Sequence, residues 1–308
     1  MAPWRRAFLT QTQEAPYLRA RPLTPKEEAE GARLARQDAV QWDGGRLDAW
    51  LQESRPRSRA FDVLLAPGGA AAATLRFWWA AGSMAEGEVA AAAAWAARLL
   101  QWASVALGGQ ALQPPRLSAN VWLQPAPARA VGPRSWPGRP EVNGGWTVLG
   151  EGVVHVHRRE EWDRVLLHEA LHALGGDWDP SLFKGAAPPA AGHLGEAWTE
   201  ASAEWLWCAA HGVPWHVQRA WARAQAAAIL QRAPRPWRED TSVFSYYCLK
   251  DALAERMGAI LARGTRLPPA PPFDIPAAWR SHVGSLALEV PLATPDETLP
   301  LRMTPALR

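Results

Sequence analysis

The sequence predicts an α+β fold in which a small mixed sheet comes first and a run of helices follows. Three observations carry that prediction. Short apolar runs separated by turn signals fill much of the stretch from Phe61 to His157, and four helical patterns follow residue 159 with no strand among them. Apolar residues make up 48% of the chain and charged residues 20%, enough apolar surface for a real core and too little charge for disorder.

Taken in order, residues 1–60 form a polar, Arg-rich N-terminal extension with one helix predicted from Pro25 to Gln37, N-capped by Thr24. The main domain is expected over residues 61–264. It begins with paired strands at Phe61–Ala66 and Thr74–Trp79, joined through Pro67-Gly68-Gly69. A long helix from Glu86 to Leu107 stops at Gly108-Gly109, and Leu117–Leu123 is a further strand. A Pro-, Arg- and Gly-rich loop ends in Asn143-Gly144-Gly145. Val153–His157 reads as a strand with Val154 and Val156 toward the core, which leaves His155 and His157 facing solvent or lining a cleft. Helices are expected at Glu160–Leu174, Leu194–Ala210, Trp215–Gln231 and Ser242–Ala262. Residues 265–308 form a Pro-rich C-terminal tail with one possible strand at Leu286–Val290.

Composition excludes several functions. A net charge of +3 spread over scattered arginines gives no nucleic-acid footprint. No window has the apolar length of a membrane span; the stretch from Val89 to Leu107 comes nearest and reads as a core helix. No signal-peptide pattern opens the chain, so a soluble protein, intracellular or virion-associated, is expected. Cys208 and Cys248 lie in apolar helical stretches as free thiols, which suits a reducing compartment. The 19 tryptophans accompany heavy use of Ala, Arg, Pro and Gly, the mark of G/C-rich codons.

The chemistry sits in residues 168–172, His-Glu-Ala-Leu-His. Positions i and i+4 of a helix share a face, so two imidazoles at that spacing reach one metal ion from a rigid element. Glu169 is displaced around the helix and is placed to take a proton from a metal-bound water. A third ligand is needed. Gly175 follows the metzincin pattern, but Trp178 stands where that pattern needs a histidine; Asp177 and Asp179 flank it and keep an aspartate ligand open. Downstream, Glu196, Glu200 and Glu204 stand at i, i+4 and i+8 with no Lys or Arg interleaved. Such a column repels itself unless a cation sits among the carboxylates.

This combination resembles the gluzincins, the thermolysin-like zinc metallopeptidases, over the stretch from about Asn143 to Lys250. The resemblance implies a zincin-like domain with one zinc per chain and a peptide or protein substrate. Glu196-Ala197-Trp198-Thr199-Glu200 follows the family's ligand-helix pattern, making Glu196 the third ligand beside His168 and His172. Glu200 would then orient a ligand histidine. Glu200-Ala201-Ser202-Ala203-Glu204-Trp205 also resembles the aminopeptidase-like helix, so a register one turn later stays open. Val142–His172 further resembles uncharacterised zincin-like proteins of large DNA viruses and algae. Zincins bind substrate along an edge strand before the metal helix, a part that fits Asn143, Gly144 and Gly145. Their oxyanion donor corresponds best to Tyr246, with His193, His211 and His216 as alternatives. The rival expectation is a zincin-like structural or interaction protein, such as a virion component, with little or no catalysis.

Overall fold

The structure is a computed structural model that describes residues 1–12, 16–37, 43–64, 68–109, 117–125, 130–131, 136–177, 194–232, 242–243, 245–261, 264–268 and 299–300. Asp179, His193 and the strand expected at Leu286–Val290 lie outside the described residues. The chain is α+β and divides into two compact units. A sheet unit comprises Phe8–Pro127 and Asn143–Gly175; a helical unit comprises Met1–Ala7, Ala128–Val142 and Gly176–Arg308.

The sheet unit is built on six strands: β1 (Tyr17–Arg21), β2 (Arg57–Leu64), β3 (Ala71–Trp79), β4 (Leu117–Trp122), β6 (Gly145–Val148) and β7 (Val153–Val156). Their order is β1-β2-β3-β4-β7-β6. The β3–β4 and β4–β7 pairs are parallel and the others antiparallel. Parallel strands need a crossover, and the 21-residue helix α4 (Glu86–Ala106) supplies it between β3 and β4. It packs on β3 and on α6 (Trp162–Ala173). Among the described residues α4 alone is long and apolar enough to cross a membrane, and 56% of its most apolar window is buried inside the protein. Core packing accounts for its composition.

Alternation along the strands sorts the side chains by face. Phe61, Leu75, Phe77, Ala119, Val121, Val154 and Val156 are buried on one face. On the other, Trp78, Trp122, Trp146 and His155 form an aromatic ladder, with Trp78 on Trp122 at 5.0 Å and Trp146 on His155 at 4.5 Å. Leu34 and Ala35 of α2 (Pro25–Gln37) and Leu47 and Trp50 of α3 (Arg46–Ser54) join that cluster.

Residues 16–37 and 43–60, which composition sets apart as part of a polar extension, therefore belong to the sheet unit. β1 pairs with β2 in full register from Tyr17↔Leu64 to Arg21↔Ala60. Arg19 and Arg21 both bond the carboxylate of Asp62, and Glu27 bridges Arg21 (2.7 Å) and Arg76 (3.1 Å). The Arg21 hydrogen bond holds the Glu27 carboxyl well below the usual carboxylate range. Glu27 also accepts from the Thr24 amide while Thr24 Oγ1 accepts from the Glu27 amide, a capping box that starts α2 where the sequence places it.

The helical unit contains α7 (Leu194–His211), α8 (Trp215–Arg232), a π-helical turn (Ser245–Leu249) and α9 (Lys250–Leu261), all mutually packed. The last two replace the continuous helix expected from Ser242. The start of α1 (Ala2–Gln11) belongs here: Trp4 Nε1 donates to the Leu261 carbonyl, and the Arg5 guanidinium donates to the carbonyls of Ala209 and Ala210. Trp4, Trp205 and Trp215 meet edge to face, at 6.0 and 4.7 Å. A short helix, α5 (Arg139–Val142), and the two-residue strands β5 (Ala130–Val131) and β8 (Leu299–Pro300), which pair with each other, complete the unit.

Candidate metal centre

Helix α6 carries the His-Glu-Ala-Leu-His motif. Its first residue is Trp162, and Glu161 stands just before it in the left-handed region at φ 55°, so Asp163 is the acid of the first turn rather than Glu160 or Glu161. Val165, Leu166, Leu167 and Leu171 are buried, and Gly175 at φ 75° closes the helix.

One turn apart on α6, His168 and His172 bring their Nε2 atoms to 3.1 Å with the rings at 71°. Two nitrogens at zinc-ligand distance from one ion and a tetrahedral angle apart would be about 3.3 Å from each other. The spacing thus fits a shared metal. Without one, a ring would have to donate from Nε2 into the Nε2 lone pair of the other.

Glu169 turns to a different neighbour. It is 7% exposed, and its Cγ lies 3.0 Å from where a Cβ on Gly145 would stand. That Cβ would also sit 2.4 Å from the His155 carbonyl oxygen and 2.8 Å from Val165. The bare backbone of Gly145 is what lets β6 lie against α6. Two residues on, Thr147 Oγ1 donates to the Glu169 carbonyl at 3.2 Å.

β6 ends the strand order of the sheet. The His157 amide donates to the Gly144 carbonyl at 2.9 Å, so residues 144 and 157 form a hydrogen-bonded pair. By alternation, the backbone groups of Gly145 and Thr147 point away from β7 toward the outer edge. Asn143 is buried just before the strand.

The helical unit holds the remaining candidates. Glu196 lies in the first turn of α7 and is half-buried; Glu200 and Glu204 are buried at 2% and 0% exposure. The cation needed by the glutamate column is in part a lysine, a correction to the reading of that column as a metal signal alone. Lys250 Nζ pairs with Glu204 Oε1, both fully buried. Asp177 accepts from Thr199 Oγ1 at 3.2 Å. Tyr246 is half-buried on the π-helical turn, whereas its neighbour Tyr247 is fully buried.

The chain matches no family model, no curated protein and no solved structure.

His155 and His157 correct the expectation for their strand: they are 2% and 0% exposed. His155 Nδ1 meets Asn120 Nδ2 at 3.3 Å, and burial lowers the ring's pKa to about 4. Trp146, one residue past the glycines, fills the space over it. Two participants escaped the sequence reading. Thr147 had only its place on the strand after Gly145 to mark it. Lys250 had a clearer signal: it is one of three lysines in a chain that otherwise uses arginine, and it lies in an apolar helical stretch.

Proposed function

We propose that the protein is a zinc-dependent hydrolase of the gluzincin type, with a zincin-like fold, that cleaves peptide bonds. The carrying observation is the 3.1 Å approach of the two Nε2 atoms on a helix whose intervening glutamate turns toward an edge strand. Both imidazoles and Glu196 suit zinc, which takes nitrogen and carboxylate ligands and keeps one position open. When bound, zinc acidifies a water and polarises the substrate carbonyl.

The protein's own groups do the rest. Glu169 accepts the proton of the attacking water on its carboxylate and returns it to the leaving amine. An extended peptide pairs with the outward backbone groups of Gly145 and Thr147, with Asn143 and Gly144 shaping the entry to that strand. Tyr246 donates its hydroxyl to the developing oxyanion. Glu204 bears on the choice of register. The aminopeptidase-like alignment needs Glu204 to orient a ligand, and its carboxylate is engaged by Lys250. That favours Glu196 as third ligand and Glu200 as the group that orients a ligand histidine.

Metal content of protein purified without added zinc tests the reading. About one zinc per chain is expected in the wild type, and none in His172→Ala or Glu196→Ala. A wild type that takes up no zinc even after reconstitution refutes it. Zinc kept in Glu196→Ala and lost in Glu200→Ala moves the ligand one turn along α7.

A further inference from the structure

We infer that Lys250 is a positioning residue whose ion pair with Glu204 fixes the ligand helix α7 against the π-helical turn that bears Tyr246. The inference rests on the zinc reading above and adds to it a part for a buried charge pair that no step of the hydrolysis uses.

Three observations converge within the helical unit. First, the pair is fully buried, with Lys250 at 1% and Glu204 at 0% side-chain exposure and Nζ 2.5 Å from Oε1. Taking two charges out of water is costly, and apolar residues of similar size usually serve stability as well or better. Register between elements is the better-attested use of such a pair. Second, the partners sit on elements that carry the candidate site. Glu204 is one turn beyond Glu200 and two beyond Glu196 on α7, and Lys250 directly follows the turn holding Tyr246. Third, the join at Lys250 is a π-helical turn, Ser245–Leu249. A π turn inserts an extra residue per turn and shifts every side chain after it around the axis, and such turns often occur at functional sites. Lys250 Nζ also lies over the Tyr247 ring at 5.6 Å, so the residue beside Tyr246 is held by the same charge.

A rotation of α7 by one side-chain position would turn Glu196 and Glu200 together, because both share the helix face of Glu204. A point contact at Glu204 therefore sets the direction of both carboxylates. The compact ammonium of lysine makes that contact in a chain with only three lysines.

The test is zinc affinity by chelator competition alongside thermal melting, on wild type, Glu204→Leu/Lys250→Met and the charge-swapped Glu204→Lys/Lys250→Glu. The apolar double variant is expected to melt near the wild-type temperature but to bind zinc about tenfold more weakly, as for other groups that orient metal ligands. The charge-swapped protein is expected to recover most of that affinity. Wild-type zinc affinity in the folded double variant overturns the inference while leaving the zinc reading intact. A wild type that binds no zinc overturns both. If the double variant does not fold, Lys250→Arg decides: weaker zinc at an unchanged melting temperature supports positioning. Unchanged zinc affinity at a lower melting temperature reduces the pair to a stabilising contact.

Discussion

Two histidine pairs lie on consecutive elements of the sheet unit, and they behave oppositely. His155 and His157, at and just beyond the end of β7, are buried among aromatic rings: His155 stacks on Trp146 at 4.5 Å, and His157 tilts against the same indole at 5.7 Å. His168 and His172 on α6 bring their Nε2 atoms together. Burial does not separate the pairs, since His168 is itself only 5% exposed. The period of the element does. On a strand, residues two apart point the same way but their rings stand side by side, open to stacking by neighbouring strands. On a helix, residues four apart lie one above the other and their ring nitrogens can meet at a point. The same residue type thus becomes packing material in one place and a candidate ligand pair in the other.

The sharpest way to break this contrast is to remove the base proposed for the α6 pair. Glu169→Gln is expected to lower peptide hydrolysis by about 10²–10⁴-fold while zinc content stays at the wild-type level. Full activity in that variant would deny Glu169 the role of base. His155→Phe, which keeps a flat ring in the ladder, is expected to leave both zinc content and turnover at neutral pH unchanged. Loss of zinc there would bring β7 into the metal site and erase the distinction between the pairs.

The next largest effect is on stability. His155 titrates at about 4 in the folded protein, pushed down first by burial, with Arg76 and Arg33 also lowering it and Glu30 opposing them. Its unfolded value is about 6.5. The folded pKa lies below the unfolded one, so the unfolded chain takes up the proton first. The stabilisation by the neutral ring is complete above about pH 6.5 and is lost as pH falls toward about 4. Urea unfolding of metal-free protein at pH 7.5 and 4.5 checks this. The wild type is expected to lose about 2–3 kcal/mol more than His155→Phe over that interval. Equal losses would mean that the ring is not held neutral by the ladder.

How far the sequence revealed these regions follows from what holds each together. Helix α2 was readable because Thr24 and Glu27 form a local cap, and α4 because its apolar length and its glycine stop are local too. The HExxH helix was readable for the same reason. β1 was hidden: Tyr-Leu-Arg-Ala-Arg alternates over only four residues in a polar stretch, and Asp62, far along the chain, binds its two arginines. The start of α3 is held by Asp43, three residues before Arg46, whose carboxylate accepts the Gly45 and Leu47 amides, a contact no hydrophobic pattern announces. At the candidate site the ligand spacing was legible, whereas the burial of His155 and His157 was not, because the tryptophans that cover His155 come from neighbouring strands. Lys250 paired with Glu204 across 46 positions of sequence is the same lesson in charge.

The smallest expected effect addresses whether β6 merely packs on α6 or also sets the direction of Glu169, the proposed base. Thr147→Val removes the hydroxyl that donates to the Glu169 carbonyl and keeps the shape of the side chain. Loss of one such bond is expected to lower stability by about 0.5–1.5 kcal/mol. If the bond also aims Glu169, kcat falls while zinc content and KM hold, because the base is misdirected without any loss of metal or substrate contact. An unchanged kcat would assign β6 a packing role, and the contrast between the two histidine pairs would then rest on the helical period of α6 alone.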